Sequence, residues 1–175
     1  MNRQDLKKLI RTVNDFPTKG ILFKDISYLL ADGEALNFTI NEMAKFTEDA
    51  DIIVGPDARG FLFGTPVAAI TKKPFIMVRK QGKLPGPVIS CDYGLEYGRN
   101  VLEIQEGITK KGQKAVIIDD VLATGGTLEA IIKLLRAEGV EVLRIIVLME
   151  LEGFNSHQRL NVPIESLINI KQGEY

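Results

Sequence analysis

The apolar positions of this chain change period several times, and each change marks an element. Leu6, Leu9, Ile10 and Val13 recur at helical spacing and stop before Pro17 and Gly20, which predicts a helix near the amino end and then a loop. Leu36, Phe38, Ile40, Met43, Ala44 and Phe46 predict a second helix, begun at Asp32-Gly33. Asp51-Ile52-Ile53-Val54 reads as a short buried strand halted by Gly55-Pro56. Phe61 to Thr71 is apolar and alanine-containing, hence helical, and Pro74 opens a strand over Phe75 to Val78. From Gln81 to Gly98 the texture changes: Gly82, Pro85, Gly86, Pro87, Gly94 and Gly98 crowd a stretch that cannot hold a regular element throughout. Long loops of this kind inside compact domains are usually functional or mobile. Val101 to Ile104 alternates apolar with polar, as a half-exposed strand does.

The clearest unit follows. Ala115-Val116-Ile117-Ile118 is a β-rich run ended by Asp119-Asp120, and Thr124-Gly125-Gly126-Thr127 makes a loop. Leu128, Ile131, Ile132 and Leu135 then fall at i, i+3, i+4 and i+7. The spacing predicts a helix from Thr127 to Ala137, with Thr127 near its N-cap and Gly139 ending it in the left-handed conformation. Val140 to Met149 supplies another strand. Strand, helix and strand in this order form a βαβ unit, which implies a parallel sheet with a right-handed crossover. No repeat, low-complexity tract or linker divides the chain. The expectation is a single α/β domain over residues 1–175, with a central, mostly parallel sheet flanked by helices.

Composition narrows the function. With 175 residues, 45% of them hydrophobic, the chain has ample apolar material to offset its conformational entropy. Its 22 Lys+Arg stand against 23 Asp+Glu, for a net charge of -1, which argues against a bulk nucleic-acid binder. Any functional positive charge must be local. One cysteine, Cys91, and one histidine, His157, are too few for a disulfide framework or a Cys- or His-rich metal site, and neither receives a role. Met1 to Thr12 is charged and lacks the apolar core of a signal peptide, and no uncharged apolar run reaches the roughly 18 residues of a membrane span. A cytoplasmic setting is expected.

Loops at the carboxyl ends of parallel strands face the crevice where α/β ligands bind. From Asp119 to Thr127 such a loop would offer two glycines for close backbone approach, successive N–H groups, a helix N-terminus, the hydroxyls of Thr124 and Thr127, and two carboxylates. A ribose phosphate satisfies both halves, though a tight βα turn with solvated aspartates fits the same residues. Neither G-x-x-x-x-G-K-S/T nor G-x-G-x-x-G occurs, which weighs against a P-loop NTPase and a Rossmann dehydrogenase. Arg59 follows a strand and a Gly-Pro turn and so projects into the same crevice, unless it serves a surface ion pair. Arg79, Lys80 and Lys83 concentrate charge beside the glycine-rich stretch, either as a solvated face or as a lid over a polyanion.

The string Val116-Ile117-Ile118-Asp119-Asp120-Val121-Leu122-Ala123-Thr124-Gly125-Gly126-Thr127 resembles the phosphoribosyl-diphosphate signature of the type I phosphoribosyltransferases. Asp15-Phe16-Pro17, the segment Gly20 to Ile26, the segment Gly55 to Gly64, the segment Arg79 to Pro87 and Leu95-Glu96-Tyr97-Gly98 are similar to the adenine-specific branch, in the same order. The resemblance implies that family's fold, with a small amino-terminal hood over about residues 1–30 and a flexible catalytic loop over about 79–98. It implies transfer of a 5-phosphoribosyl group from phosphoribosyl diphosphate to N9 of adenine, giving AMP and diphosphate with Mg²⁺, in a homodimer.

By the same resemblance Ala123, Thr124, Gly125, Gly126 and Thr127 hold the 5′-phosphate, and Asp119 and Asp120 bind the ribose hydroxyls. Asp57, Ala58, Arg59, Arg79, Lys80 and Lys83 meet the diphosphate, with the Asp57–Ala58 peptide strained or cis. Leu22, Phe23, Lys24 and Val121 form the adenine pocket, Leu22 and Lys24 through backbone atoms. Glu96, Arg59 and Lys83 are the catalytic candidates, Glu96 as acid or base at the purine. The metal would be held mainly by the donor's own diphosphate and ribose. Two alternatives stay open: a ligand-sensing regulator on this fold without catalysis, and an enzyme for another 6-substituted purine. Regulators of the first kind usually append a DNA-binding module, and only about 14 residues precede the first motif here, with no basic helix-turn-helix.

Overall fold

The computed structural model describes residues 1–93 and 100–171. In chain order its elements are α1 (Arg3–Lys8), β1 (Arg11–Asn14), β2 (Leu22–Asp25), α2 (Ser27–Ala31), α3 (Gly33–Ala44), β3 (Ile52–Pro56), α4 (Arg59–Thr71) and β4 (Phe75–Lys80). There follow β5 (Val88–Tyr93), β6 (Asn100–Gln105), β7 (Lys114–Leu122), α5 (Gly126–Ala137), β8 (Glu141–Leu151), α6 (Ser156–Leu160) and β9 (Ile164–Ile170). Seven strands make one sheet in the order β5-β6-β4-β3-β7-β8-β9. The pairs β4–β3, β3–β7, β7–β8 and β8–β9 are parallel, while β6 and β5 extend the β4 edge antiparallel.

Two-residue alternation explains why the central strands read as unbroken apolar runs, because both sheet faces are covered. On β7, Ala115 and Ile117 join the layer under α5, with Leu128, Ile131 and Leu135. Val116 and Ile118 join the opposite layer, with Phe63 and Val67 of α4 and Met43 of α3. Each fully buried side chain of this size contributes roughly 1.5–3 kcal/mol. Asp32 caps α3 by accepting from the amides of Glu34 and Ala35, both at 3.0 Å. Among the described residues no helix is long and apolar enough to cross a membrane.

Several expectations are corrected. The first helix stops at Lys8, and Val13 lies instead on β1, which pairs with β2 in a separate two-stranded antiparallel sheet. Val13 and Thr12 are β-branched and face Phe23 and Lys24 in that ladder, and this pairing outweighs the helical spacing. At α5 the N-cap is Gly125, in the left-handed region at φ 78°, and no side chain caps the helix; Thr127 lies within its first turn. The strand β6 is not half-exposed: Leu102 and Ile104 pack into the layer with Leu128, Ile131 and Leu135 of α5, and Glu103 is buried against Gly82 and Ser90. Val88–Tyr93, inside the glycine-rich stretch, is a regular strand.

Candidate active site

The carboxyl ends of β4, β3 and β7 lie side by side, so the three loops that follow them share one edge of the sheet. Gly126 opens α5, whose first amides have no carbonyl partner within the helix. In front of them is a pocket of about 220 Å³ lined by Asp119, Val121 and the continuous run from Leu122 to Leu128. Gly125 is required twice over: its φ is 78°, and a Cβ there would lie 3.3 Å from Leu160 on α6. Arg159, also on α6, reaches the loop from behind, donating to the Thr124 carbonyl at 3.4 Å and to Glu129 Oε2 at 2.6 Å.

Asp119 and Asp120 carry the site's acidity. The Asp120 amide donates to Asp119 Oδ1 at 2.8 Å, and Arg59 Nε lies 2.8 Å from Asp120 Oδ2, an ion pair whose N–H does not point along the contact. Asp119 keeps a solvent-facing edge but is hemmed in by protein: a Cβ on Gly60 would sit 3.1 Å from its Oδ1. Burial raises the Asp119 carboxyl well above its ordinary range, and the neighbouring Asp120 charge pushes the same way. Burial also raises Asp120, against the pull of the Arg59 cation. The pair therefore gives up its second proton reluctantly.

Arg59 joins this acidic pair to the β1–β2 sheet. Its Nη1 donates to the Lys24 carbonyl at 3.0 Å, and its guanidinium stands 4.7 Å from the centre of the Phe23 ring. Phe23 also meets Phe16 edge-on, with centroids 5.0 Å apart. Lys24 is buried and donates from Nζ to Thr12 Oγ1 at 2.6 Å. Leu22 is exposed, and Val121, half-buried, lies on the β7 side of the crevice.

After β3, the Asp57–Ala58 peptide is cis. Arg79 Nε and Lys83 Nζ both stand 3.2 Å from Asp57 Oδ2, and Arg79 Nη1 donates to the Lys83 carbonyl at 3.0 Å. Burial would raise the Asp57 carboxyl, but the bonds from Lys83 and Arg79 reverse this and hold it below its usual range. Lys80 is exposed, and no ion pair to it is seen among the described residues. Glu96 lies outside the described residues, so the expectations attached to it and to Leu95 and Tyr97 find no structural counterpart. Sequence reading missed Gly60, Arg159 and Leu160. Gly60 carries a signal in its place beside Arg59, whereas Arg159 and Leu160 follow the weakly patterned segment after Leu151 and carry none.

A family model for the phosphoribosyl transferase domain matches residues 26–168. The adenine phosphoribosyltransferase of Mycoplasmopsis agalactiae is 62% identical over 167 residues, covering 94% of this chain and 98% of that protein. The crystal structure of adenine phosphoribosyltransferase from Thermoanaerobacter pseudethanolicus superposes with a TM-score of 0.92 at 45% identity, over 97% of this chain and 100% of that one. The Saccharomyces cerevisiae adenine phosphoribosyltransferase, solved with an iminoaltritol bisphosphate and adenine, matches with a TM-score of 0.89 at 33% identity, over 94% and 97%.

Proposed function

Because the chain belongs to the phosphoribosyl transferase family, with full-length relatives in its adenine branch, we propose that it makes AMP and diphosphate from adenine and phosphoribosyl diphosphate. This is the chemistry of a purine-salvage glycosyltransferase. The C1′–O bond breaks with its electron pair leaving on the diphosphate, the adenine N9 lone pair forms the new C1′–N bond, and the N9 proton passes to a base, the role we assign to Glu96. Positive charge builds on the ribose as the polyanion departs, so the protein must stabilise both.

The observation that carries the assignment is the shared edge. An amide-rich pocket lined by Asp119 follows β7, with Asp120 buried beside it against Arg59, while a cationic cluster follows β3 and β4. We assign the 5′-phosphate to Ala123–Thr127, the ribose hydroxyls to Asp119 and Asp120, and the diphosphate to the backbone at Asp57–Ala58 with Arg59, Arg79, Lys80 and Lys83. Adenine is assigned to the space between Phe23 and Val121, with backbone groups of Leu22 and Lys24. Arg59, which already contacts Phe23 and Asp120, is placed to sense both substrates. Mg²⁺ belongs to the donor in this scheme: among the described residues no group of three or more His, Cys, Asp or Glu side chains could hold it, and Asp119 and Asp120 are the acids that would face it. When bound, the ion neutralises diphosphate oxygens and orients them. A cytoplasmic homodimer completes the proposal.

The test is purified protein with phosphoribosyl diphosphate and Mg²⁺, offered adenine, guanine, hypoxanthine and xanthine separately. AMP and diphosphate should form with adenine and little nucleotide with the others. Equal turnover of guanine would overturn the base assignment, and binding of the donor without turnover of any purine would leave a ligand sensor.

A further inference from the structure

We propose that Glu103 is a positioning residue for the diphosphate end of the site, acting through the turn that carries Lys83; this depends on the donor reading above. Glu103 lies on β6, where the register sets it opposite Arg79 of β4 on one side and Ser90 of β5 on the other. It is a charged side chain only 5% exposed, and among the described residues no cation pairs with it. A buried carboxylate without a cation is costly unless it answers donors. Its Oε2 accepts the Gly82 amide at 3.0 Å, and its Oε1 lies 3.5 Å from Ser90 Oγ.

Gly82 is the pivot of the turn. Its φ is 78°, and the Lys83 amide closes the turn onto the Lys80 carbonyl at 3.2 Å. The next residue sends its ammonium to Asp57 and its carbonyl to Arg79. One charge-assisted bond at Gly82 thus fixes the segment from which Lys83 points, and it ties the departing end of β4 to β5 at Ser90. Its carboxylate bonds the turn and Ser90, and no ion pair joins it to Arg79, its ladder neighbour, or to another group assigned to substrate among the described residues. It sets where the cation stands.

The experiment is a steady-state comparison of Glu103→Met, which keeps volume and removes the acceptor, and Glu103→Gln, which keeps an oxygen and loses the charge. Each is made in the otherwise unchanged protein and in a Lys83→Ala background. Glu103→Met should raise KM for phosphoribosyl diphosphate about 3- to 10-fold, as the loss of one charge-assisted bond implies, with KM for adenine unchanged. Glu103→Gln should give a smaller rise of the same kind. Without Lys83 both rises should shrink to less than about twofold, because the interaction they report is gone. Equal rises in both backgrounds, a parallel rise in KM for adenine, or no change at all overturns the inference. Should Glu103→Met fail to fold, the same comparison is read from Glu103→Gln. An unchanged protein that makes no AMP removes the donor reading itself, a different result from an active enzyme whose two substitutions act independently.

Discussion

At the scale of single residues, the acidic pair on β7 sets its proposed role against stability. The folded protein keeps a proton on Asp119 to higher pH than the unfolded chain does, because burial and Asp120 both oppose its ionisation. The stability linked to that proton is fully present below the ordinary carboxylate range and lost as pH rises toward the folded value, so keeping both carboxyls buried costs stability at higher pH. Asp119→Asn should therefore raise Tm near neutral pH by roughly 2–4 °C, the shift that about 1 kcal/mol produces in a chain of this size. The gain should shrink as pH falls toward the ordinary carboxylate range, and a calorimetric Tm below that of the unchanged protein at neutral pH would contradict it. Combined with Asp120→Asn, the same change should abolish AMP formation while the folded signal in circular dichroism persists. The sequence displays such acids plainly, since they follow a β run and precede two glycines. It does not display that Arg59, on α4 with three strands between it and β7 in the chain, is the cation beside Asp120.

Among the elements, legibility follows length. The helix α3, the helix α5 and the strands β3, β7 and β8 each hold one period long enough to read, and all are found where the pattern puts them, within a few residues. The four-residue strand β2 and the five-residue helices α2 and α6 are too short to show a period, and β1 borrows residues whose spacing imitates a helix. The cap of α5 differs from the expectation of Thr127, because a left-handed backbone conformation at Gly125, not a hydroxyl, begins the helix. Gly125→Ala tests that start. The new methyl meets both a left-handed φ and the Leu160 side chain, so a loss of about 1 kcal/mol or more in urea unfolding is expected, together with weaker AMP binding by titration calorimetry. Unchanged AMP affinity would separate the loop's shape from its phosphate role.

For the whole molecule, the α/β order and the parallel core could be read from the sequence, because strands covered on both faces show as continuous apolar runs. The antiparallel extension through β6 and β5 could not, since pairing partners leave no local mark when both strands are short and mixed in polarity. The near-neutral total of 22 basic and 23 acidic residues also conceals how charge is sorted, with Arg79 and Lys83 gathered on Asp57. Lys83→Ala should raise the donor concentration needed for half-maximal rate, and an unchanged kinetic profile would count against a role for the turn.

The grip of Asp57 on Arg79 and Lys83 means that the molecule carries its own counter-ion at the place proposed for the diphosphate. Binding there is an exchange of one anion for another instead of the filling of a bare basic surface. Asp57→Asn should unmask the two cations, so that pyrophosphate binds more tightly and with a steeper dependence on ionic strength, as titrations across a salt series would read. On the proposed reading, the same carboxylate in the unaltered protein would reclaim its cations as diphosphate leaves, easing release and resisting stray polyphosphates.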